Sequence, residues 1–266
     1  MRFAILSDIH GNIYALKEAL KDIEQKNIDA IIFCGDYVTD IPRSNEVIET
    51  IKIIMKKYTT YIIRGNREEK VLSYENNDKE TTINNENVLF TYEDLKKENF
   101  NFLSSLPETC VIDIENLPKI YVSHARDYNC GNDCKYKIFG HSHKQYIFSR
   151  DGIKYINPGS IGLPTDGDNR LKYCILTLEK DFEKIELISI KYDYLKAIND
   201  IENNRISQHG IKWGMAVKKL LKTGIDYPVL YLEEVVKIAK EHGLDANKET
   251  MPLEVWKEAR KSLEIK

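Results

Sequence analysis

The sequence has little of what marks the specialised classes of protein. It holds only 5 cysteines in 266 residues, an odd number at irregular positions: Cys34, Cys110, Cys130, Cys134 and Cys174. Such a set in a long chain argues against a disulfide framework and fits a reducing compartment. No apolar run approaches the roughly 18 residues of a membrane span. The opening run Met1–Leu6 meets Asp8 too soon to be a signal peptide, so the expectation is a cytoplasmic protein with no membrane partner. Glycine and proline are sparse, at 13 and 7, and 42% of the residues are hydrophobic. Collagen-like, low-complexity and wholly disordered chains are thereby excluded. Charge of one sign is missing too: 39 Lys and Arg against 42 Asp and Glu leave −3. A general basic surface for bulk nucleic-acid binding is not expected.

At roughly 150 residues per domain the length suggests one or two domains, and a chain this long buries a core without staples. Three short apolar runs, residues 2–7, 30–34 and 61–63, alternate with helical spacing over residues 13–25 and a helix starting at a Ser44 or Asn45 cap. Each run ends in polar residues: Ser7-Asp8-Ile9-His10-Gly11-Asn12, then Gly35-Asp36, then Arg64-Gly65-Asn66-Arg67-Glu68. The alternation predicts βαβ units and a parallel sheet, whose carboxyl edge is where ligands bind.

Residues 75–90 lack a period and read as a surface insertion; residues 92–105 read as helical. From Cys110 to Tyr192 short strands prevail, at 119–123, 136–139, 145–148, 153–156, 173–178 and 185–190, with a hairpin turn at Arg150-Asp151-Gly152. Beyond Tyr192 four amphipathic helices are expected, over 193–205, 212–223, 231–242 and 252–263. This predicts a division into residues 1–192 and a helical extension, 193–266, with 13 basic and 12 acidic residues.

Of the 6 histidines, His10, His124, His141 and His143 lie in strand-end clusters, as do Asp8, Asp36 and Asn66. Imidazole with carboxylate suits Mn, Fe, Zn or Ni better than Mg or Ca alone. Asp8-x-His10 and His141-x-His143 each set two donors on one side of a strand end. Seven donors suffice for two metals. Singly, each pair is weak; the ordered set, each member after an apolar run, is what carries the metal reading.

The ordered motifs Asp8-x-His10, Gly35-Asp36, Gly65-Asn66-Arg67-Glu68, His124 and Gly140-His141-x-His143 resemble those of the calcineurin-like metallophosphoesterases. The stretch Ile156–Pro164 resembles the bacterial branch of that family, which includes phosphodiesterases and dinucleoside polyphosphate hydrolases. The resemblance spans roughly residues 1–192. It implies an α/β sandwich of two mixed β-sheets flanked by helices, with 193–266 outside the core pattern. It implies two divalent ions, one on Asp8, His10 and His143, the other on Asn66, His124 and His141, with Asp36 between them. A metal-bridging hydroxide would attack phosphorus in line, and Asn66, Arg67 and His124 would be the catalytic positions. In the family a His usually follows the Asn and serves as general acid. Arg67 stands here instead, and it cannot release a proton at ordinary pH, although its fork binds phosphate. That tilts the expected substrate toward phosphorylated small molecules with acidic leaving groups, namely nucleotide-like diesters and anhydrides. A serine/threonine protein phosphatase and a non-catalytic protein-binding scaffold are the alternatives; the seven intact donor positions weigh against the scaffold.

Other features read as bland. Cys130-x-x-x-Cys134 reads as a loop, His209 and His242 as surface positions, and Lys212, Lys218, Lys219 and Lys222 as a solvated helix face. The Gly159-Ser160 turn is expected to shape the site rather than react.

Overall fold

A computed structural model describes residues 1–75, 86–125, 133–209, 211–245 and 251–265. Strands β1 (Arg2–Leu6), β2 (Ala30–Phe33) and β3 (Thr59–Ile62) pair in parallel, linked by helices α1 (Ile13–Ile23) and α2 (Ser44–Lys57). From Phe3 onward β1, and β2 along its length, are apolar and buried because both faces of the sheet are covered there, whereas β3 at the edge opens with exposed Thr59. Ala4 and Leu6 face the helices with Leu16, Ala19 and Ile51, whereas Phe3 and Ile5 face the opposite sheet with Val122, Ile138 and Ile156.

Helix α2 corrects one detail. Arg43 holds its cap position with no side-chain bond, because the Ser44 hydroxyl instead accepts the Thr39 N–H at 3.3 Å. Next come α3 (Asn66–Ser73), α4 (Glu86–Asp94) and α5 (Lys97–Ser105). The expected insertion at 75–90 is therefore helical from Glu86, where Asn87, Val88 and Phe90 are buried; residues 76–85 lie outside the described residues.

The strands expected after Cys110 are β4 (Thr109–Ile112), β5 (Ile120–Ser123), β6 (Tyr136–Ile138), β7 (Gln145–Arg150), β8 (Ile153–Pro158), β9 (Leu171–Leu178) and β10 (Glu183–Ile190). Two five-stranded mixed sheets result, β10-β9-β1-β2-β3 and β4-β5-β6-β8-β7. Arg150 pairs with Ile153, and Asp151 and Gly152 between them have φ of 53° and 75°, the left-handed turn that suits a two-residue hairpin.

The C-terminal helices are α6 (Tyr194–Glu202), α7 (Trp213–Thr223), α8 (Tyr227–Glu241) and α9 (Leu253–Ser262). Helix α8 starts a turn earlier than its apolar spacing predicts, because Asp226 caps it through the Val229 N–H and Pro228 occupies its first turn. Leu195, which the periodicity places inward, is 61% exposed. The helices share a buried cluster with Ile41, Phe90 and Leu163 of the preceding segment. Among the described residues no helix is long and apolar enough to cross a membrane.

Candidate active site

All seven expected donors lie at one place, beyond the carboxyl ends of the parallel strands and beside the ends of β5, β6 and β8. Close backbone packing brings them together. A Cβ on Gly65 would stand 2.3 Å from Asp36 Oδ1, and one on Gly140 would stand 2.0 Å from Ser7 Oγ, so the residues before Asn66 and His141 must be small. Asp8, His10, Asp36, His141 and His143 all take left-handed backbone, with φ from 50° to 66°. Each such residue costs about 1–3 kcal/mol and persists only where its surroundings over-determine it. Here the Asp8 N–H donates to Gly35 O at 3.0 Å, the Ile9 N–H to Asp36 O at 2.7 Å, and the Gly162 N–H to Asp8 O at 2.9 Å. The Ser160 hydroxyl donates to Asp8 O at 2.7 Å and accepts the Leu163 N–H at 2.7 Å, a bracing position rather than a reacting one.

Histidine tautomers follow from acceptor-only partners. His10 Nδ1 lies 2.9 Å from Asp40 Oδ2, His143 Nδ1 2.6 Å from Leu163 O, and His124 Nδ1 2.7 Å from Cys34 O. Each Nδ1 therefore carries a proton, which leaves the inward-turned Nε2 atoms to take a second proton or a cation. Those of His10 and His143 face each other at 3.1 Å. That of His124 lies 3.0 Å from Asn66 Oδ1 and 3.2 Å from Asp36 Oδ2. Facing lone pairs and carboxylates repel unless cations or protons sit among them, so the donor set fits divalent cations. Asp8, His10 and His143 form one such group, and Asp8, Asp36 and His124 a second. Asn66 Oδ1 also lies 2.9 Å from His141 Nδ1.

Electrostatics point the same way. Burial works against charge at Asp8 and Asp36, yet His143 at the first and His124 at the second more than offset it, and both carboxyls stay below their usual range. Burial likewise opposes protonation of His124, but the Asp36 and Asp8 carboxylates push it up to about 10. His143 is raised by Asp8 against the same penalty. His141 is lowered, by burial and by nearby His124.

Sequence reasoning misses Asp40 and Trp213, and names Glu68 as part of a motif without giving it a role. Buried Asp40 accepts four hydrogen bonds, from His10 Nδ1 (2.9 Å), Thr39 Oγ1 (3.0 Å), Asn87 Nδ2 (2.8 Å) and Trp213 Nε1 (2.7 Å). Burial alone would raise its carboxyl; Arg67, His10 and Trp213 hold it far below the usual range. Glu68 accepts the N–H groups of Gly65, Asp36 and Tyr37 at 2.7–2.8 Å, locking the two donor loops together. Burial and nearby Asp36 push it up to about 7. An acidic residue three after the capping Gly65 is the one local signal for it. Trp213 comes from α7.

Arg67 is held at the site: its N–H donates to Asp36 Oδ1 at 2.8 Å, and its Nη2 lies 3.6 Å from Asp40 Oδ2. It lines a cavity of about 230 Å³ together with Asp36, Asn66, His141 and His143. The features read as bland stay away from it. Lys218 pairs with Glu202, Lys219 lies over the Tyr227 ring, His209 packs on Phe90, and His242 lies 3.5 Å from Glu258. Cys34, Cys110, Cys134 and Cys174 are free thiols; Cys130 lies outside the described residues.

Residues 1–181 match the family model of the calcineurin-like phosphoesterase superfamily domain. An uncharacterized protein of Methanocaldococcus jannaschii is 34% identical over 236 residues, 77% of this chain and 93% of its own. A probable metallophosphoesterase of Mycoplasma genitalium is 28% identical over 203 residues, 74% and 97% of the two chains. The crystal structure of a metallophosphoesterase from Sphaerobacter thermophilus superposes with a TM-score of 0.66 at 21% identity, covering 85% of this chain and 99% of that one, and so shares the two-sheet fold. The chain belongs to the calcineurin-like phosphoesterase superfamily, whose members generally use divalent metal ions, and it is a metal-dependent phosphoric ester hydrolase.

Proposed function

We propose that the chain hydrolyses a nucleotide-like phosphodiester or phosphoanhydride, such as a dinucleoside polyphosphate, with two divalent ions drawn from Mn, Fe, Zn or Ni. Asp8, His10 and His143 hold one ion, Asn66, His124 and His141 the other, and Asp36 lies between. The observation that carries this reading is the convergence of Nε2 lone pairs on shared carboxylates, with Asp36 Oδ2 3.8 Å from His10 Nε2 and 3.2 Å from His124 Nε2. Bound there, the ions supply Lewis acidity toward phosphoryl oxygens and make water acidic enough to attack at neutral pH.

The chain's own residues do the rest. Asp40, Leu163 O and Cys34 O fix the ring orientations of His10, His143 and His124. Asn66 and His124 would act on the phosphoryl group through the ion they hold, since His124 has one ring nitrogen on Cys34 O and turns the other toward Asn66 Oδ1. Arg67, permanently charged, binds a phosphoryl oxygen and donates no proton to the leaving group. The favoured substrates are therefore those whose leaving group is already acidic. Residues 1–192 carry the chemistry and 193–266 flank it, and the free thiols fit the cytoplasm as the place of reaction. The test is a metal-supplemented screen of a dinucleoside polyphosphate, an aryl diester and a phosphopeptide. Turnover of the first two is expected; preference for the phosphopeptide, or no turnover with any metal, refutes the reading.

A further inference from the structure

The cavity beside the metal-ligand cluster has a second wall that lies outside residues 1–181. Trp213 and Leu220 of α7, Pro228, Val229 and Leu232 of α8, and Leu163 line the cavity together with the polar residues. Asp226, the charged residue on that wall, is engaged as the α8 cap, accepting the Val229 N–H at 3.1 Å. We infer that α7 and α8 form a preformed subsite for the organic group of the ester, taking one compact apolar ring of the aryl or nucleobase kind. The inference rests on the phosphoester reading above and adds to it which part of the chain selects the substrate.

The wall is anchored. Trp213 Nε1 donates to Asp40 Oδ1 at 2.7 Å, the Gly167 N–H to Gly224 O at 2.9 Å, and Asn169 Nδ2 to Leu221 O at 3.2 Å. The hydrogen bond to Asp40 ties the wall to the carboxylate that orients His10, so the distance from wall to phosphoryl site is held by the fold. Size narrows the ligand. At about 230 Å³ the cavity is smaller than typical small-molecule pockets, which run to roughly 300–1,000 Å³. It takes a phosphoryl group and one ring, and the second half of a diester leaves through the mouth. Trp213, Leu220 and Pro228 are buried and back the wall, and its accessible apolar surface is that of Val229 and Leu232, from which a polar, extended phosphopeptide gains nothing.

Val229 is the position to test, because it is 45% exposed and its substitution leaves the core cluster and the Asp226 cap untouched. The experiment uses the whole chain, loaded with Mn, and calorimetric binding of phenylphosphonate, whose P–C bond is not hydrolysed, and inorganic phosphate. Wild type is expected to bind phenylphosphonate about tenfold more tightly, from apolar burial of the ring. Val229→Asn should reduce that preference about three- to tenfold while inorganic phosphate binds as before, and Val229→Leu should retain it. If phosphate binds but the ring adds nothing, or if Val229→Asn weakens both ligands equally, the subsite is overturned and the phosphoester reading stands. If neither ligand binds, both fall.

Discussion

Replacing Asp40 with Asn tests whether this buried carboxylate organises the site. Its Oδ2 accepts from His10 Nδ1 and Thr39 Oγ1, and its Oδ1 from Asn87 Nδ2 and Trp213 Nε1. A carboxylate accepts on both sides; an amide has one acceptor oxygen and turns an NH₂ group toward the other pair of donors. Turned toward Asn87 and Trp213 the NH₂ strands both donors; turned toward His10 and Thr39 it strands the His10 N–H alone, because the Thr39 hydroxyl can accept, and in either case the bonds that remain lose their charge assistance. At about 1–3 kcal/mol for a stranded group and about 1 kcal/mol for each bond that becomes neutral the loss is about 2–6 kcal/mol, a large part of the roughly 5–15 kcal/mol that stabilises a domain. The thermal midpoint of Asp40→Asn should fall by roughly 5–20 °C. Loosening His10 should also weaken metal affinity or activity about 10- to 100-fold, as losing the partner of a ligating imidazole does. Trp213→Phe is the graded control: it removes a single donor and should cost about 1.5–3 kcal/mol, the range for a hydrogen bond to a charged group. Differential scanning fluorimetry and metal titration read both effects. An Asp40→Asn protein with unchanged midpoint and unchanged metal affinity would refute the hub.

Asp36→Asn should abolish most activity and leave at least one ion weakly held; full metal content with normal turnover contradicts the assignment of Asp36 between the ions. Chelation should stop turnover while circular dichroism stays native-like, because the inter-sheet core, Phe3 with Ile32, Val122 and Leu176, contains no expected ligand; unfolding on chelation is the opposing result. Arg67→Ala should lower kcat/KM on a dinucleoside polyphosphate about 10- to 150-fold, the loss of one charge-assisted contact, with metal content intact. Arg67→His should shift preference toward alkyl monoesters, since imidazole can protonate a leaving group; wild-type rates for Arg67→Ala on an anhydride, an aryl diester and an alkyl monoester refute a role for Arg67. Truncation after Tyr192 should keep the metal-to-protein ratio in whatever remains soluble, but exposed Ile41, Phe90 and Leu163 should drive aggregation, which light scattering detects; a soluble truncation that has lost its metal counts against the ligand set.

What was legible in the sequence differs from what was not by the range of the interactions involved. The β1 and β2 runs are apolar because two layers cover them, and length and composition show that locally. The seven donors are legible for a related reason. Each follows a strand, and Gly35, Gly65 and Gly140 each stand directly before a donor; at Gly65 and Gly140 a Cβ would meet Asp36 Oδ1 at 2.3 Å and Ser7 Oγ at 2.0 Å. Steric exclusion of a side chain writes itself into the residue type, so close packing leaves a mark beside the donor. Helix α4 left a weaker one, since it buries Asn87, Val88 and Phe90 but shows no clean stripe. Asp40 left none. Its partners His10, Asn87 and Trp213 stand 30, 47 and 173 residues away, and an aspartate that gathers distant donors looks the same in sequence as one that faces water. Trp213 reads as one more apolar residue on an amphipathic helix, because periodicity reports that a residue is buried but not which surface buries it. Metal chemistry is built from local turns and is written locally. The apolar lining that α7 and α8 add to the cavity depends on how these helices pack on the preceding segment, so it appears only when the chain is folded.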